Sequence, residues 1–280
     1  MFRKYGFVGI LLIILGQLII IFDLKSIQLE GFYFILVWLG YILVVDAIVY
    51  KIKKHSLIMN DFRKFIGLFL ISIVFWWIFE IYNNVLGNWY YLNTPRPEWL
   101  FFSLGFSTVV PAMFETFDLL KTIHLVDKVK QIKHTVSKNF LLFFIILGLI
   151  FVIYPFLFPS IYAYIFVWPG FFFLLDPINY LHKQPSILKF LNEGKLKIPI
   201  ILAITGLVCG FFWEFWNYWA TPKWYYILPE FANTMKVFEM PLLGYLFYLP
   251  FGWSLYAMYY FVVGTLEIEL KKLKVIFSKS

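Results

Sequence analysis

Eight stretches of roughly 20 apolar residues, set apart by short runs of Lys and Arg, dominate this chain. They cover residues 5–22, 31–50, 65–85, 100–120, 140–158, 160–181, 198–218 and 238–264. A helix of about 20 apolar residues spans a hydrocarbon core of about 30 Å. Strands are disfavoured because the runs are long and continuous and lack period-two alternation. The fifth and sixth runs are joined by little more than Pro159, so a hairpin within the bilayer is an alternative there. Composition points the same way: 62% of the 280 residues are hydrophobic and 14% are charged, against about 25% charged in an average soluble domain. A water-soluble globule of this length could not hide so much apolar surface. Disorder, a collagen-like chain, a disulfide scaffold and a nucleic-acid module are excluded. The formal charge of +8 sits in short basic runs between apolar stretches, and the single Cys209 has no internal partner. The expected fold class is all-α, a polytopic membrane protein with eight transmembrane helices.

Basic residues set the expected orientation. If the N-terminus is cytoplasmic, only Lys25, Arg96, Lys223 and Lys236 fall in exterior loops, and the other twenty Lys and Arg fall inside. That bias matches the positive-inside rule and places both termini in the cytoplasm, with a cell membrane of the bacterial inner type as the location. Met1-Phe2-Arg3-Lys4 before an apolar run imitates a signal peptide. No small-x-small cleavage site follows Phe22, so the first run is read as a retained span.

The chain also repeats itself. Val37-Trp38-Leu39-Gly40 returns as Val167-Trp168-Pro169-Gly170, and at the same offset Asp46 meets Asp176, Tyr50 meets Tyr180 and Ser56 meets Ser186. Glu80-Ile81-Tyr82-Asn83 matches Glu214-Phe215-Trp216-Asn217, and Trp89-Tyr90-Tyr91 matches Trp224-Tyr225-Tyr226. Gly105 with Pro111 matches Gly244 with Pro250. The expected organisation is a tandem 4+4 repeat in the same orientation: a first unit at 1–126, a basic linker at 127–137 and a second unit at 138–280. Parallel repeats of this kind are related by an axis along the membrane normal. The segment 121–139 carries Leu125, Val129, Ile132 and Val136 near helical spacing, which predicts an amphipathic stretch on the inner leaflet.

Acidic residues inside the spans are costly and mark candidate sites. Asp46, Glu80, Glu115, Asp118, Asp176 and Glu214 all qualify. Counting helix rise, Glu80 and Glu214 lie about 22 Å from the cytoplasmic end of their spans. Asp46, Asp176, Glu115 and Asp118 lie nearer that end, so the two layers are separated by about 14 Å in a core of about 30 Å. In the outer layer, Glu-x-x-Asn puts a carboxylate and an amide on one helix face, twice. An aromatic rim comes next at Trp89, Tyr90, Tyr91, Trp219, Trp224, Tyr225 and Tyr226. The competing reading makes the Glu and Asn residues a brace between the halves and the rim an interfacial belt. In the inner layer, Asp46 and Asp176 are expected to pair with Lys51, Lys53 or His182. Glu115 and Asp118 have no acidic counterparts, since Ser254 and Ala257 stand in the matching places. Pro111, Pro169, Pro177, Pro241 and Pro250 interrupt helices and free carbonyls that need other partners. His55, His124, His134 and His182 have no metal-binding spacing.

Phe238-Glu239-Met240-Pro241-Leu242-Leu243-Gly244-Tyr245, with Trp213-Glu214-Phe215-Trp216-Asn217, resembles a family of uncharacterised bacterial multi-pass membrane proteins. The resemblance covers most of the chain and implies no activity. In that family a Pro is followed four residues on by Glu, which Pro111 and Glu115 preserve and Pro250 and Ser254 do not. A weaker likeness is to the lycopene cyclase domain of carotenoid biosynthesis, also small, duplicated and rich in membrane helices. It is carried by the order of an acid/Asn stretch, Trp and Tyr, then a Gly-to-Pro segment ending in an acid. The cyclase's Pro-x-Glu-Glu is replaced here by Pro111-x-x-x-Glu115.

These residues together suggest an enzyme performing acid/base chemistry on a lipid-soluble isoprenoid or lipid substrate. Glu80, Glu214 and Glu115 are the catalytic candidates. Asn83, Asn217, Asp46, Asp176, Trp89 and Trp224 are the candidates for binding substrate. No cofactor, metal or nucleic-acid partner is expected; membrane lipid and a hydrophobic small molecule are. The alternatives are a proton-coupled transporter of a small solute, or a non-catalytic membrane scaffold.

Overall fold

A computed structural model describes residues 1–22, 27–129, 131–230 and 234–277, with side chains left out at 27–28 and 267–277. Of the basic residues used to orient the chain, Lys25, Lys130 and Lys279 lie outside the described residues. The helices are α1 (Lys4–Ile21), α2 (Ile27–Lys53), α3 (Leu57–Asn60), α4 (Phe62–Leu86), α5 (Glu98–Ser107), α6 (Val109–Thr122), α7 (Lys138–Leu157), α8 (Val167–Leu181), α9 (Ile187–Asn192), α10 (Lys197–Trp219) and α11 (Tyr248–Phe277). Short 3-10 turns at Ala163–Phe166 and Leu242–Phe247 lead into α8 and α11. Among the described residues, eight segments are long and apolar enough to cross a membrane, and they overlap the eight runs read from the sequence. Phe7, Leu11, Leu70, Val74, Leu142 and Phe143 point outward from these helices. Exposed apolar stripes of this extent suit lipid rather than water.

The all-helical expectation needs one amendment, because the described residues include two small antiparallel strand pairs. β1 (Trp89–Leu92) pairs with β2 (Lys223–Tyr226), setting Trp89 opposite Tyr226 and Tyr91 opposite Trp224. β3 (Lys236–Val237) pairs with β4 (Met240–Pro241). All four lie between spans, where no hydrophobic periodicity announces them. The basic segment after α6 is also not helical. Residues 123–128 form turns and the described residues from 129 to 137 lack regular structure. Its backbone is tied to α9 instead, by His134 N–H to the Leu191 carbonyl at 3.1 Å and by Val136 N–H to Asn192 Oδ1 at 3.4 Å.

The fourth span breaks at Thr108, and Ser72 explains how the break is accommodated. Its hydroxyl donates to the Phe106 carbonyl at 2.5 Å and accepts from Val110 N–H at 3.0 Å. It thus occupies the gap where the direct i to i−4 bond would run. An inserted side chain is a known cause of helix kinks, and it re-satisfies groups that lipid cannot. Close helix packing relies on glycine. A Cβ on Gly9 of α1 would meet the Gly40 carbonyl of α2 at 2.7 Å, and a Cβ on Gly148 of α7 would meet Leu174 Cα of α8 at 2.6 Å. Small residues at such crossings let the backbones approach. At the centre, α2, α4, α8, α10 and α11 meet through aromatic rings. Trp76 stacks on Trp213 at 5.0 Å and Phe79 lies 4.3 Å from Trp168.

Candidate functional site

Glu80 and Glu214 are each built into a cage of tyrosine hydroxyls and neighbouring donors. Gly87 ends α4 with φ +67°, a left-handed conformation that glycine adopts without a Cβ penalty, and the chain turns back along α4 as β1. Asn83 then locks the strand: its Nδ2 donates to the Trp89 carbonyl and its Oδ1 accepts from Trp89 N–H, both at 2.9 Å. Asn217 does the same for Trp224, at 2.9 and 3.0 Å. Both amides are therefore committed to backbone, as bracing groups, and neither Asn lines the cavity between the cages.

Once β1 is in place, Glu80 accepts from Tyr91 OH at 2.5 Å and from Trp76 and Trp89 Nε1, each at 3.2 Å, all on Oε1. Asn83 Nδ2 reaches Oε2 at 3.5 Å. Glu214 is fully buried. Its Oε1 accepts from Tyr226 OH at 2.7 Å and Tyr248 OH at 2.6 Å, while Oε2 is buried without a partner. Trp224 Nε1 donates to Tyr226 OH at 2.8 Å, where Trp89 Nε1 reaches both the phenol of Tyr91 and the carboxylate.

The cavity has a volume of about 510 Å³. Trp76, Trp89 and Tyr91 form part of its wall on one side; Trp224, Tyr226 and Tyr248 do so on the other. Cavities of about 300–1,000 Å³ with apolar walls and a few polar groups are the usual form of small-molecule sites. Glu80 and Glu214 do not line it themselves. They stand behind tyrosines whose hydroxyls they hold, so a molecule in the cavity meets the carboxylates through Tyr91, Tyr226 and Tyr248. The aromatic residues after each Glu-x-x-Asn are thus cavity walls in the main, rather than a lipid-facing belt. Trp89 is only 8% exposed.

Asp46, Asp176, Glu115 and Asp118 do something else. Asp46 accepts from Tyr5 OH at 2.5 Å, Ser56 Oγ at 2.8 Å and Ile58 N–H at 3.0 Å. Asp176 accepts from Ile187 N–H at 2.7 Å and Leu188 N–H at 2.9 Å. Each carboxylate caps the start of the short helix that comes after its span, α3 or α9, where unpaired N–H groups favour an anion. The expected pairing with Lys51, Lys53 or His182 is not found. Lys53 instead binds Asp118 at 2.5 and 2.7 Å, because α6 brings Asp118 alongside the end of α2. Glu115 is fully buried against the carboxyl of Asp46, with Asp118 and Lys53 also near, and no amide, amine or hydroxyl group donates to either of its oxygens. None of these four acids lines the cavity.

Trp76, Trp213 and Tyr248 belong to the cavity and were not singled out from the sequence as site residues. Trp76 sits one turn before Glu80, a spacing that brings its indole to the carboxylate. Tyr248 is 34 residues from Glu214, and no local pattern joins them. Among the described residues there is no cluster of His, Cys, Asp and Glu able to hold a metal.

Eight apolar spans among the described residues, six of them contributing to the wall of an aromatic cavity, mark a multi-pass integral membrane protein. Comparisons with protein-family models, curated proteins and solved structures find no match.

Proposed function

We propose that this protein binds a lipid-soluble molecule, an isoprenoid or lipid, in the aromatic cavity and performs acid/base chemistry on it. One observation carries the reading: tyrosine hydroxyls on the cavity wall are hydrogen-bonded to buried carboxyls directly behind them. A phenol so placed can pass a proton between a bound molecule and the carboxyl group. Glu80, with donors on both oxygens, is set up as a carboxylate and serves as the base through Tyr91. Glu214, with Oε2 unpaired, has room for a proton and serves as the acid when its carboxyl turns to present that O–H to Tyr226 or Tyr248, whose own hydroxyl proton passes to the bound molecule. Trp89 and Trp224 hold the molecule, and Asn83 and Asn217 hold the strands that carry those walls.

In this reading the chain is two copies of a four-span unit, both termini are cytoplasmic, and the cavity lies at the seam toward the outer face. The recurrence of the Asn-to-strand, Tyr-to-Glu and Asp-to-helix bonds supports the duplication. The resemblance to a family of uncharacterised bacterial multi-pass membrane proteins through the Trp-Glu-x-Trp-Asn and Phe-Glu-Met-Pro-x-x-Gly-Tyr motifs remains part of the proposal. Incubating the purified protein with bacterial lipid and isoprenoid extracts, followed by mass spectrometry, tests the activity. Glu80→Gln and Glu214→Gln are expected to lose turnover by about 10²–10⁴-fold, the usual contribution of a positioned acid or base. Unchanged turnover in both rejects these roles. Uptake into proteoliposomes driven by a pH gradient, with the solute unaltered, would favour a transporter instead.

A further inference from the structure

We infer that the cavity selects a neutral amphiphile carrying a hydrogen-bonding group such as a hydroxyl, held by Asn88 and Tyr164 beside the Glu80 cage. The inference rests on the proposed function, in which the cavity takes an apolar molecule, and it assigns the polar end of that molecule. Asn88 is 3% exposed and lines the cavity. Its Nδ2 is committed to the Ile161 carbonyl at 2.9 Å, which leaves Oδ1 buried and without a donor. Tyr164 lines the same cavity, and its buried hydroxyl also has no partner. Unpaired buried polar atoms are costly and uncommon, and two on residues of one wall call for a partner, which a ligand group supplies once a side-chain rotation turns them to the cavity.

The two residues are held together. Asn88 is fixed to Ile161, three residues before Tyr164, and the Tyr164 ring meets Trp89 edge-on at 5.0 Å. Tyr164 is also within electrostatic reach of Glu80 and Tyr91. An acceptor (Asn88 Oδ1) and a group that both donates and accepts (Tyr164 OH) match a hydroxyl, which can donate to the first and accept from the second. Such a hydroxyl would lie next to the Tyr91 phenol that leads to Glu80. Charge settles the class. Among the described residues, no Lys, Arg, Asp or Glu lines the cavity, so a phosphate there would be buried without a counter-ion, which is strongly unfavourable.

Terminally brominated chains quench tryptophan on contact and report occupancy of this Trp-rich cavity. The probes are 12-bromododecanol, 1-bromododecane and 12-bromododecyl phosphate, added to the full chain in lipid nanodiscs, with the saturable part of the quenching as readout. The alcohol is expected to bind about tenfold more tightly than the bromoalkane, the effect of one to two hydrogen bonds that satisfy buried groups. Tyr164→Phe removes a single oxygen and is expected to erase most of that preference while leaving bromoalkane binding unchanged. Asn88→Leu should act likewise but also cuts the tie to Ile161, so Tyr164→Phe carries the test. Equal binding of alcohol and bromoalkane, a preference that survives in Tyr164→Phe, or tighter binding of the phosphate overturns this inference and leaves the apolar cavity standing. No saturable quenching by any probe overturns both.

Discussion

Glu80 and Glu214 sit in similar motifs, yet their cages differ in their donors, most of all one turn earlier on the helix. One turn before Glu80 stands Trp76, whose indole donates to the carboxylate at 3.2 Å. One turn before Glu214 stands Gly210, and the ring of Tyr248 lies where a side chain on Gly210 would extend. The Tyr248 hydroxyl then donates to Glu214 at 2.6 Å. A local indole on the same helix is thus replaced by a phenol delivered from α11. The exchange changes the donor to Oε1; the second oxygen differs for another reason, since Asn83 reaches Glu80 Oε2 at 3.5 Å while Glu214 Oε2 has no donor. Two sites alike in sequence motif are thus unlike in two ways: a glycine admits a distant phenol to Glu214 Oε1, and only Glu80 has an amide within reach of its second oxygen.

The difference is open to attack by mutation. Glu80→Gln takes the charge from the oxygen that three indole and phenol donors share and sets its NH2 against the Asn83 amide, donor against donor. It is expected to cost about 1.5–3 kcal/mol, the range for hydrogen bonds to a charged group. Glu214→Gln keeps Oε1 for both tyrosines and sets its NH2 where Oε2 lacks a donor, so a loss under about 1 kcal/mol is expected. Thermal unfolding of both variants in the same detergent checks the order; equal losses would erase the contrast. Gly210→Ala forces Tyr248 off the helix surface and is expected to cost about 1–3 kcal/mol through overpacking. It should also alter tryptophan emission as the cavity wall shifts. Tyr248→Phe keeps the ring and loses one donor, for about 0.5–1.5 kcal/mol by unfolding measurements. It should also reduce turnover if Glu214 is the acid.

The smallest effect falls on the segment joining the two regions. Asp127 accepts from Lys197, and that ammonium, with His124 beside it, holds the Asp127 carboxyl below its usual value of 3.8. A depressed carboxylate contributes its anchoring above 3.8 and loses it as pH falls through the lower folded value. Limited proteolysis within residues 123–137 should therefore stay slow at neutral pH and quicken only in strong acid. In Asp127→Asn, cleavage should be faster at neutral pH and insensitive to acid. Global unfolding should be indifferent, because exposed ion pairs contribute little.

The spans were legible because a lipid-crossing helix must be long and continuously apolar, a requirement written residue by residue. The buried acids were legible for the complementary reason: a carboxyl in a span stands out against its cost. The role of each acid was not. Asp46 and Asp176 look like partners for nearby Lys, and become helix caps only once α3 and α9 fold back beneath their spans. The strand pair of Trp89–Leu92 with Lys223–Tyr226 joins segments more than 130 residues apart, and no short-range pattern encodes that register.

Sequence by itself determined the number of apolar helices, the place of the two Glu-x-x-Asn motifs and the aromatic character of the segment after each motif. These are local properties, set by hydrophobicity and by side-chain spacing on a single helix. Tertiary structure decided that Asn83 and Asn217 hold backbone, that tyrosines stand between the carboxyls and the cavity, and that Tyr248 rather than a neighbour completes the Glu214 cage. Those outcomes depend on which distant hydrogen-bonding group reaches a buried oxygen first. Only the packing of helices around a glycine can fix that.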